Sequence, residues 1–286
     1  MKNRRALIAL TTAGIAWGLT VPLTKVVLEW LDPAWTTVAR FGLAAPVLAW
    51  IARAHLRAAA TPLIAAWGAV GFGVVIVLQN IGIERTSVTH AAVILGAVPV
   101  LVALTAAAAG RASAGPRAWT GFAAALLGIG LVAGAGGSSS ASGDALMLAS
   151  AALSALLIVA QTRLLPGRDA VAVTAVQMAA AAAAVLPIAL LAGAPPVAGP
   201  TGGQALAAFA LVTVGSLVPF ALYAYGQAQV SAEVAGAFVN LEPLVGAVLG
   251  ALAFGDPVST LSAAGAVAIV GGIALSAGGN GSSQLP

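Results

Sequence analysis

Ten long apolar stretches, separated by short segments rich in turn residues, run along almost the whole chain. Each stretch has about the 20 residues that an α-helix needs to cross the hydrocarbon core of a membrane. The intervening segments carry pairs typical of turns, such as Asp32-Pro33, Pro166-Gly167 and Asp256-Pro257. The pattern predicts ten membrane-spanning helices, at residues 6–28, 33–52, 63–83, 89–109, 117–135, 144–164, 170–192, 204–226, 231–253 and 259–277.

The chain also contains an internal repeat. The segment around Pro99 resembles the segment around Pro243, at a separation of 243 − 99 = 144 residues. Four further residues have an identical partner 144 positions later: Gly82, Ser87, Gly121 and Gly128 match Gly226, Ser231, Gly265 and Gly272. The repeat predicts two five-helix units, residues 1–135 and 144–277, joined by a flexible Gly- and Ser-rich linker at 136–143. Residues 278–286 are predicted to be a disordered tail.

Composition restricts the class of protein. Hydrophobic residues make up 60% of the chain and charged residues 7%, which is too little charge to cover the surface of a water-soluble protein of this size. The apolar runs are too long and uniform for barrel strands, so the prediction is an all-α integral membrane protein. The apolar run near the N-terminus continues past Trp17, which favours a first membrane helix over a cleaved signal peptide. The absence of cysteine excludes disulfides and thiolate metal sites, and two histidines are too few for a histidine cluster, so no cofactor or metal is predicted.

Charge predicts the orientation in the membrane. With ten spans, both termini lie on one side, and the loops of that side carry nine basic residues against one, Arg85, in the loops of the other side. Positively charged loops remain in the cytoplasm, so both termini are expected there, in a cell (inner) membrane of bacterial type. This distribution also accounts for the high isoelectric point without any nucleic-acid partner. Since each unit has five spans, the second unit is expected to be inverted relative to the first.

The second repeat resembles a known family. Asn240-Leu241-Glu242-Pro243 with its following small residues, and Phe254-Gly255-Asp256, are similar to the ninth helix and its closing turn in EamA-type ten-helix exporters of the drug/metabolite transporter superfamily. Trp17-Gly18 in the first helix also resembles that family, whereas Gly110-Arg111 departs from it by lacking an acid after the glycine. The resemblance implies an exporter with a central cavity, and within the family it favours the aromatic and neutral amino acid exporter group.

Proline and polar residues inside the spans are the candidate site. Pro99 and Pro243 are matched bends that shape the cavity or help the halves rock, although simple packing is the alternative. Polar side chains are costly in lipid, so those in spans are candidates for lining the cavity. The predicted substrate-binding residues are Trp17, Gln79, Asn80, Gln161, Tyr223, Asn240 and Glu242. Gln79 and Tyr223 are 144 residues apart and therefore equivalent.

Four charged or titratable residues allow two interpretations each. Glu242 lies near the midplane and either carries a proton or braces the bend before Pro243; bracing is favoured because a single acid is weak evidence for proton coupling. Lys25 and Arg163, 138 residues apart in similar local contexts, anchor helix ends at the two surfaces or act as electrostatic gates. His90 is either a polar cap or a pH sensor.

These observations favour a secondary transporter that exports small metabolites, above all amino acids with aromatic or other apolar side chains. A phosphorylated cargo would require two or more cationic side chains in the cavity, and none is expected at the midplane. No Gly-x4-Gly-Lys-Ser/Thr motif for nucleotide binding is present. Other small-molecule or organic-cation exporters, an intramembrane lipid-modifying enzyme, and a scaffold are the alternatives. The expected partners are a small-molecule substrate and the lipid bilayer, with the chain a monomer or a dimer.

Overall fold

The computed structural model describes residues 2–110, 115–133, 140–192, 198–230, 232–239, 241–253 and 259–277. The described part of the chain is helical throughout and contains no strand. Its α-helices are α1 (Lys2–Gly18), α2 (Thr20–Leu28), α3 (Pro33–Ile51), α4 (Leu56–Ala59), α5 (Pro62–Gly68), α6 (Val75–Arg85), α7 (Val88–Leu95), α8 (Val98–Ala108), α9 (Pro116–Ala133), α10 (Ala141–Leu164), α11 (Ala170–Ala192), α12 (Gly202–Val212), α13 (Val218–Gln227), α14 (Ala232–Val239), α15 (Leu241–Ala253) and α16 (Thr260–Ala277).

Seven helical segments within the described residues are long and apolar enough to cross a membrane. They are 4–28, 33–51, 62–85, 141–164, 170–191, 202–227 and 234–253. Shorter apolar helices occur at Val98–Ala108, Trp119–Gly128 and Ala263–Gly272. Within the described residues, each predicted span contains one helix or consecutive helices, and seven of the resulting segments meet the length and composition of a crossing helix.

The predicted linker is shorter than expected at its C-terminal end. Ser140 is the N-cap of α10, and its hydroxyl accepts a hydrogen bond from the Gly143 amide at 3.0 Å. This cap satisfies an amide of the first turn and allows the helix to begin at Ala141. The last three residues of the predicted linker are therefore helical, while 134–139 and the predicted tail 278–286 lie outside the described residues.

Two π-helical segments interrupt otherwise continuous helices at matched places. Ala69–Val74 lies between α5 and α6, and Thr213–Leu217 lies between α12 and α13. The two segments begin 144 residues apart, at the same offset as Pro99 and Pro243. Such π segments are rare and occur often at functional sites.

Contacts of glycines fix the register between the repeats. A Cβ atom on Gly82 would lie 2.7 Å from the Met147 side chain of α10, and one on Gly226 would lie 2.6 Å from Leu10 of α1. Gly82 and Gly226 are equivalent at 144, so Leu10 and Met147 are equivalent at an offset of 147 − 10 = 137. The Asp32 and Asp169 carboxylates, also 137 residues apart, both accept hydrogen bonds from the first turn of the helix that follows. The offset is thus 137 for the first two spans of each repeat and 144 for the next three.

Helices α9 and α16 contact each other through equivalent glycines. A Cβ atom on Gly128 would lie 2.5 Å from the Gly265 carbonyl oxygen, and one on Gly272 would meet the Gly121 carbonyl oxygen. Gly121, early in α9, thus contacts Gly272, late in α16, and Gly128, late in α9, contacts Gly265, early in α16. The two helices therefore run antiparallel. Equivalent spans also contact each other: α3 contacts α11, and in the fourth and ninth predicted spans α7 contacts α15 and α8 contacts α14.

Candidate substrate-binding cavity

A cavity lies between the two repeats, and helices from both contribute to its wall. The space in it open to water is about 100 Å³. One water needs about 10–15 Å³ by this measure, so the cavity has room for a small solute. Its wall consists of Trp17, Thr20, Arg40, Gly71, Phe72, Val75, Ile76, Gln79, Leu95, Val98, Ser154, Leu157, Ile158, Gln161, Thr174, Phe220, Tyr223, Ala224, Gln227, Val239 and Glu242.

Aromatic rings form a continuous group on this wall. The ring centroids of Trp17 and Tyr223 are 4.8 Å apart, and those of Trp17 and Phe220 are 5.0 Å apart in an edge-on arrangement. Phe72 of the first repeat contacts the Phe220 ring at 4.7 Å. These are favourable distances for aromatic pairs. The cavity therefore has a large apolar surface of rigid rings.

Two buried charged side chains face the same cavity from opposite repeats. Arg40 of α3 is 3% exposed and Glu242 of α15 is 8% exposed. The Arg40 guanidinium donates to the Ser216 hydroxyl at 2.5 Å and to the Gly215 carbonyl at 2.8 Å, both in the second π-helical segment. The Thr20 hydroxyl lies within hydrogen-bonding reach of the Glu242 carboxyl group, which Arg40 attracts electrostatically.

Neutral amides form a second polar group on the wall. The Gln161 amide of α10 donates to the Gln177 side-chain oxygen of α11 at 2.9 Å. The Gln227 amide of α13 donates to the Ile158 carbonyl at 2.7 Å, and Thr174 lies in the same part of the wall. These bonds satisfy buried polar groups and hold the helices of the second repeat together.

Two polar atoms of the aromatic group have no hydrogen-bond partner among the described residues. They are the Trp17 indole nitrogen and the Tyr223 hydroxyl. Both side chains are at least nine-tenths buried and line the cavity. Because a buried unpaired donor is costly, these two atoms are available to hydrogen-bond a solute.

The cavity brings together five of the seven predicted binding residues: Trp17, Gln79, Gln161, Tyr223 and Glu242. Asn80 is not in the wall; its amide donates to the Pro33 carbonyl at 3.1 Å and to the Thr37 hydroxyl at 3.0 Å, which ties α6 to α3. Asn240 lies outside the described residues. The binding roles of all seven residues remain predictions.

The two matched prolines lie at equivalent places in the fourth and ninth predicted spans. Pro99 is in the first turn of α8, just after the break that ends α7 at Leu95, and Pro243 is in the first turn of α15. A proline has no amide hydrogen for the carbonyl four residues earlier, which here belongs to Leu95 or Val239. Both of those residues line the cavity. In both places a carbonyl of a cavity-wall residue therefore lacks its usual helical hydrogen-bond donor.

The structure does not support the pairing of Lys25 with Arg163. At the observed offset of 137, Lys25 is equivalent to Thr162. The Lys25 ammonium donates to the carbonyls of Ile83 and Thr86, at 2.8 and 3.0 Å, where α6 ends. Arg163 is exposed in the last turn of α10. Lys25 thus caps a helix C-terminus, where a cation is favourable, while Arg163 does not have an equivalent position or environment.

His90 lies close to the second repeat. Its Nδ1 atom is 3.7 Å from the Asp144 carboxylate of α10, which also accepts a hydrogen bond from the Thr86 hydroxyl at 3.2 Å. His90 is buried and lies outside the cavity wall. This contact joins the start of the fourth predicted span to the start of the sixth.

Arg40 is the important residue that the sequence analysis missed. The expectation of no cationic side chain at the midplane is wrong, because Arg40 is buried in the cavity wall. The available signal was that Arg40 is the sole charged residue in the predicted span 33–52. A charge inside an apolar span marks a functional site by default.

Comparisons with known proteins agree with this architecture. A solved structure titled "Crystal structure of protein" superposes with a TM-score of 0.76, at 21% identity, over 94% of this chain and 95% of that chain. That likeness shows a shared fold. No curated protein matches the sequence. The profile described as EamA-like transporter family matches residues 4–134 and again 141–278, so nearly the whole chain is accounted for by two copies. The chain belongs to the EamA-like transporter family.

Proposed function

We propose that this protein is a secondary transporter that exports amino acids with aromatic or other apolar side chains. The observation that carries this proposal is the cavity wall, which combines aromatic rings with two opposite charges and unpaired polar atoms. Apolar rings suit the side chain of such a substrate, and the few polar groups fix its orientation. Transport drive comes from solute or ion gradients, since the chain lacks a nucleotide-binding motif.

The proposed topology has ten spans arranged as two inverted five-helix repeats around the cavity. The antiparallel contact of α9 with α16 through equivalent glycines supports the inversion. The nine-to-one bias of basic residues in the loops supports cytoplasmic termini in a bacterial-type inner membrane. The shorter helices α9 and α16 would then be the fifth and tenth spans.

Matched helix breaks support alternating access as the mechanism. The two π-helical segments recur at one offset. Gly71 and Phe72 of the first line the cavity, and Gly215 and Ser216 of the second bind Arg40, which also lines it. Interrupted helices concentrate bending at a few places and leave backbone groups for the substrate. Rocking of one repeat against the other about these places would open the cavity to each side in turn.

Export of organic cations is a second candidate. Glu242 shares the cavity with Trp17 and Tyr223, and a carboxylate among aromatic faces is a favourable site for a cation. Arg40 in the same wall opposes a substrate that carries positive charge alone. The balance of the two charges therefore favours a zwitterion over a cation.

Counterflow in proteoliposomes tests the proposal. Purified protein is reconstituted with unlabelled amino acids, sugars, nucleosides or organic cations inside, and uptake of the matching labelled compound is measured. We expect uptake to be greatest for phenylalanine and other apolar amino acids, with empty liposomes as the control. Clear flux of another class, with none for amino acids, would reject the proposed substrate and leave transport intact.

A further inference from the structure

The two charges of the cavity break its internal symmetry. At the offset of 137, Arg40 is equivalent to Gln177, and at the offset of 144, Glu242 is equivalent to Val98. Each charge therefore comes from a different repeat and has a neutral counterpart in the other. Arg40 and Glu242 both line the cavity, whereas Gln177 is not in its wall and hydrogen-bonds to Gln161, which is.

Arg40 is held in place while part of its hydrogen-bonding capacity remains unused. A guanidinium group has five N–H donors in a rigid plane. In the described part of the chain, two of them are used, toward Ser216 and Gly215. Three donors remain on a side chain that lines the cavity. Such a planar fork is suited to binding both oxygens of a carboxylate.

Arg40 and Glu242 do not neutralise each other by direct contact. They interact electrostatically, yet among the described residues no salt bridge of 4.0 Å or less joins them. Each is almost completely buried, and a buried charge is stabilised only by close partners of opposite charge or by hydrogen bonds. The separated pair thus leaves a position between the two groups where a dipolar solute would satisfy both.

We infer that Arg40 and Glu242 in the cavity wall select zwitterions, with the substrate carboxylate on Arg40 and its ammonium group on Glu242. This inference rests on the proposed function and deepens it. The apolar side chain of the substrate lies against Trp17, Phe220 and Tyr223. An acid without an amino group, or an amine without a carboxylate, leaves one of the two protein charges unpaired and binds more weakly.

Three probes of the same size class test the inference by counterflow: phenylalanine, phenethylamine, which lacks the carboxylate, and 3-phenylpropionate, which lacks the amino group. We expect the wild-type protein to take up phenylalanine with a KM about 10- to 100-fold lower than that for either other probe, the range of one lost charge-assisted hydrogen bond. Arg40→Gln introduces the residue of the equivalent position. It is expected to remove the preference for phenylalanine over phenethylamine. Glu242→Gln is expected to remove the preference for phenylalanine over 3-phenylpropionate.

Controls separate recognition from folding. Each single variant leaves one buried charge without its opposite, so the double variant Arg40→Gln/Glu242→Gln is measured as well. We expect it to fold and to have lost both preferences. Gln177→Ala, at the buried position equivalent to Arg40 but outside the cavity wall, is the matched control and is expected to change the three KM values by similar factors. Thermal unfolding in detergent is recorded for every variant.

Two outcomes would overturn the inference. Equal uptake of all three probes by the wild-type protein would leave the proposed transport of amino acids standing and reject charge selection. If a folded double variant keeps the wild-type preferences, charge selection by Arg40 and Glu242 is likewise rejected and the proposed transport of amino acids still stands. If the wild-type protein exchanges none of the probes but transports a compound of another class, the proposed function itself fails, and the inference fails with it.

Discussion

At the level of a single residue, Tyr223 is the position where a substitution should affect substrate binding without affecting the stability of the fold. Its hydroxyl is buried in the cavity wall and has no hydrogen-bond partner within the described residues. Tyr223→Phe removes that hydroxyl and no contact of the fold. We expect an unchanged melting temperature and a KM for phenylalanine about 3- to 10-fold higher, because one hydrogen bond to the substrate is lost. Counterflow kinetics and thermal unfolding of the same preparation measure both quantities.

Asn80 provides the contrast for this experiment. Asn80→Ala removes two hydrogen bonds that join α6 to α3, so it should destabilise the protein by about 1–3 kcal/mol and affect KM less than Tyr223→Phe does. If Tyr223→Phe lowers the melting temperature and leaves KM unchanged, the hydroxyl serves the fold and the assignment of Tyr223 to substrate binding is wrong.

At the level of elements, the crossing of α9 and α16 depends on glycines that are close to a carbonyl. Gly128→Ala would place a Cβ atom 2.5 Å from the Gly265 oxygen, so the two helices must separate, which costs about 1–3 kcal/mol. Gly130, two residues later in α9, has open space where its Cβ would be. Gly130→Ala should be stabilising by up to about 1 kcal/mol from helix propensity. Thermal unfolding should therefore show a lower melting temperature for Gly128→Ala and a higher one for Gly130→Ala. Equal shifts of the melting temperature in the two variants would contradict the close crossing of α9 and α16.

The helices themselves follow from sequence better than their interruptions do. Apolar length predicted the helices of the described residues, and proline predicted the break before Pro99, because both signals are local. The π-helical segments were not predicted. No local residue in Ala69–Val74 demands an extra residue per turn, and the segment instead lies against α11 and the Leu157 side chain of α10. Its conformation depends on tertiary contacts, which the spacing of hydrophobic residues along the sequence does not reveal.

At the scale of the whole molecule, the repeat determined most of what the sequence could predict about the site. Matching positions at one offset paired Gln79 with Tyr223, and both line the cavity. Arg40 was missed because the single offset of 144 pairs it with Ala184, so the repeat gave no reason to single it out; its isolated charge in an apolar span was the available signal. The contacts of Gly82 and Gly226 give an offset of 137 for the first two spans, at which Arg40 corresponds to Gln177. The offset between the two repeats thus determines which residues of one repeat are equivalent to which residues of the other.

Inverted repeats make a prediction that involves the whole chain: equivalent residues lie on opposite sides of the membrane. Glu29 and Pro166 are equivalent at 137, and both are exposed in turns that precede a helix. Because the chain has no cysteine, Glu29→Cys and Pro166→Cys each carry a single thiol. In intact cells, a membrane-impermeant maleimide should label the cysteine at position 29, while position 166 should react only after permeabilisation. Labelling of both from the same side would mean that the repeats run parallel, and reversed labelling would place the termini outside the cytoplasm.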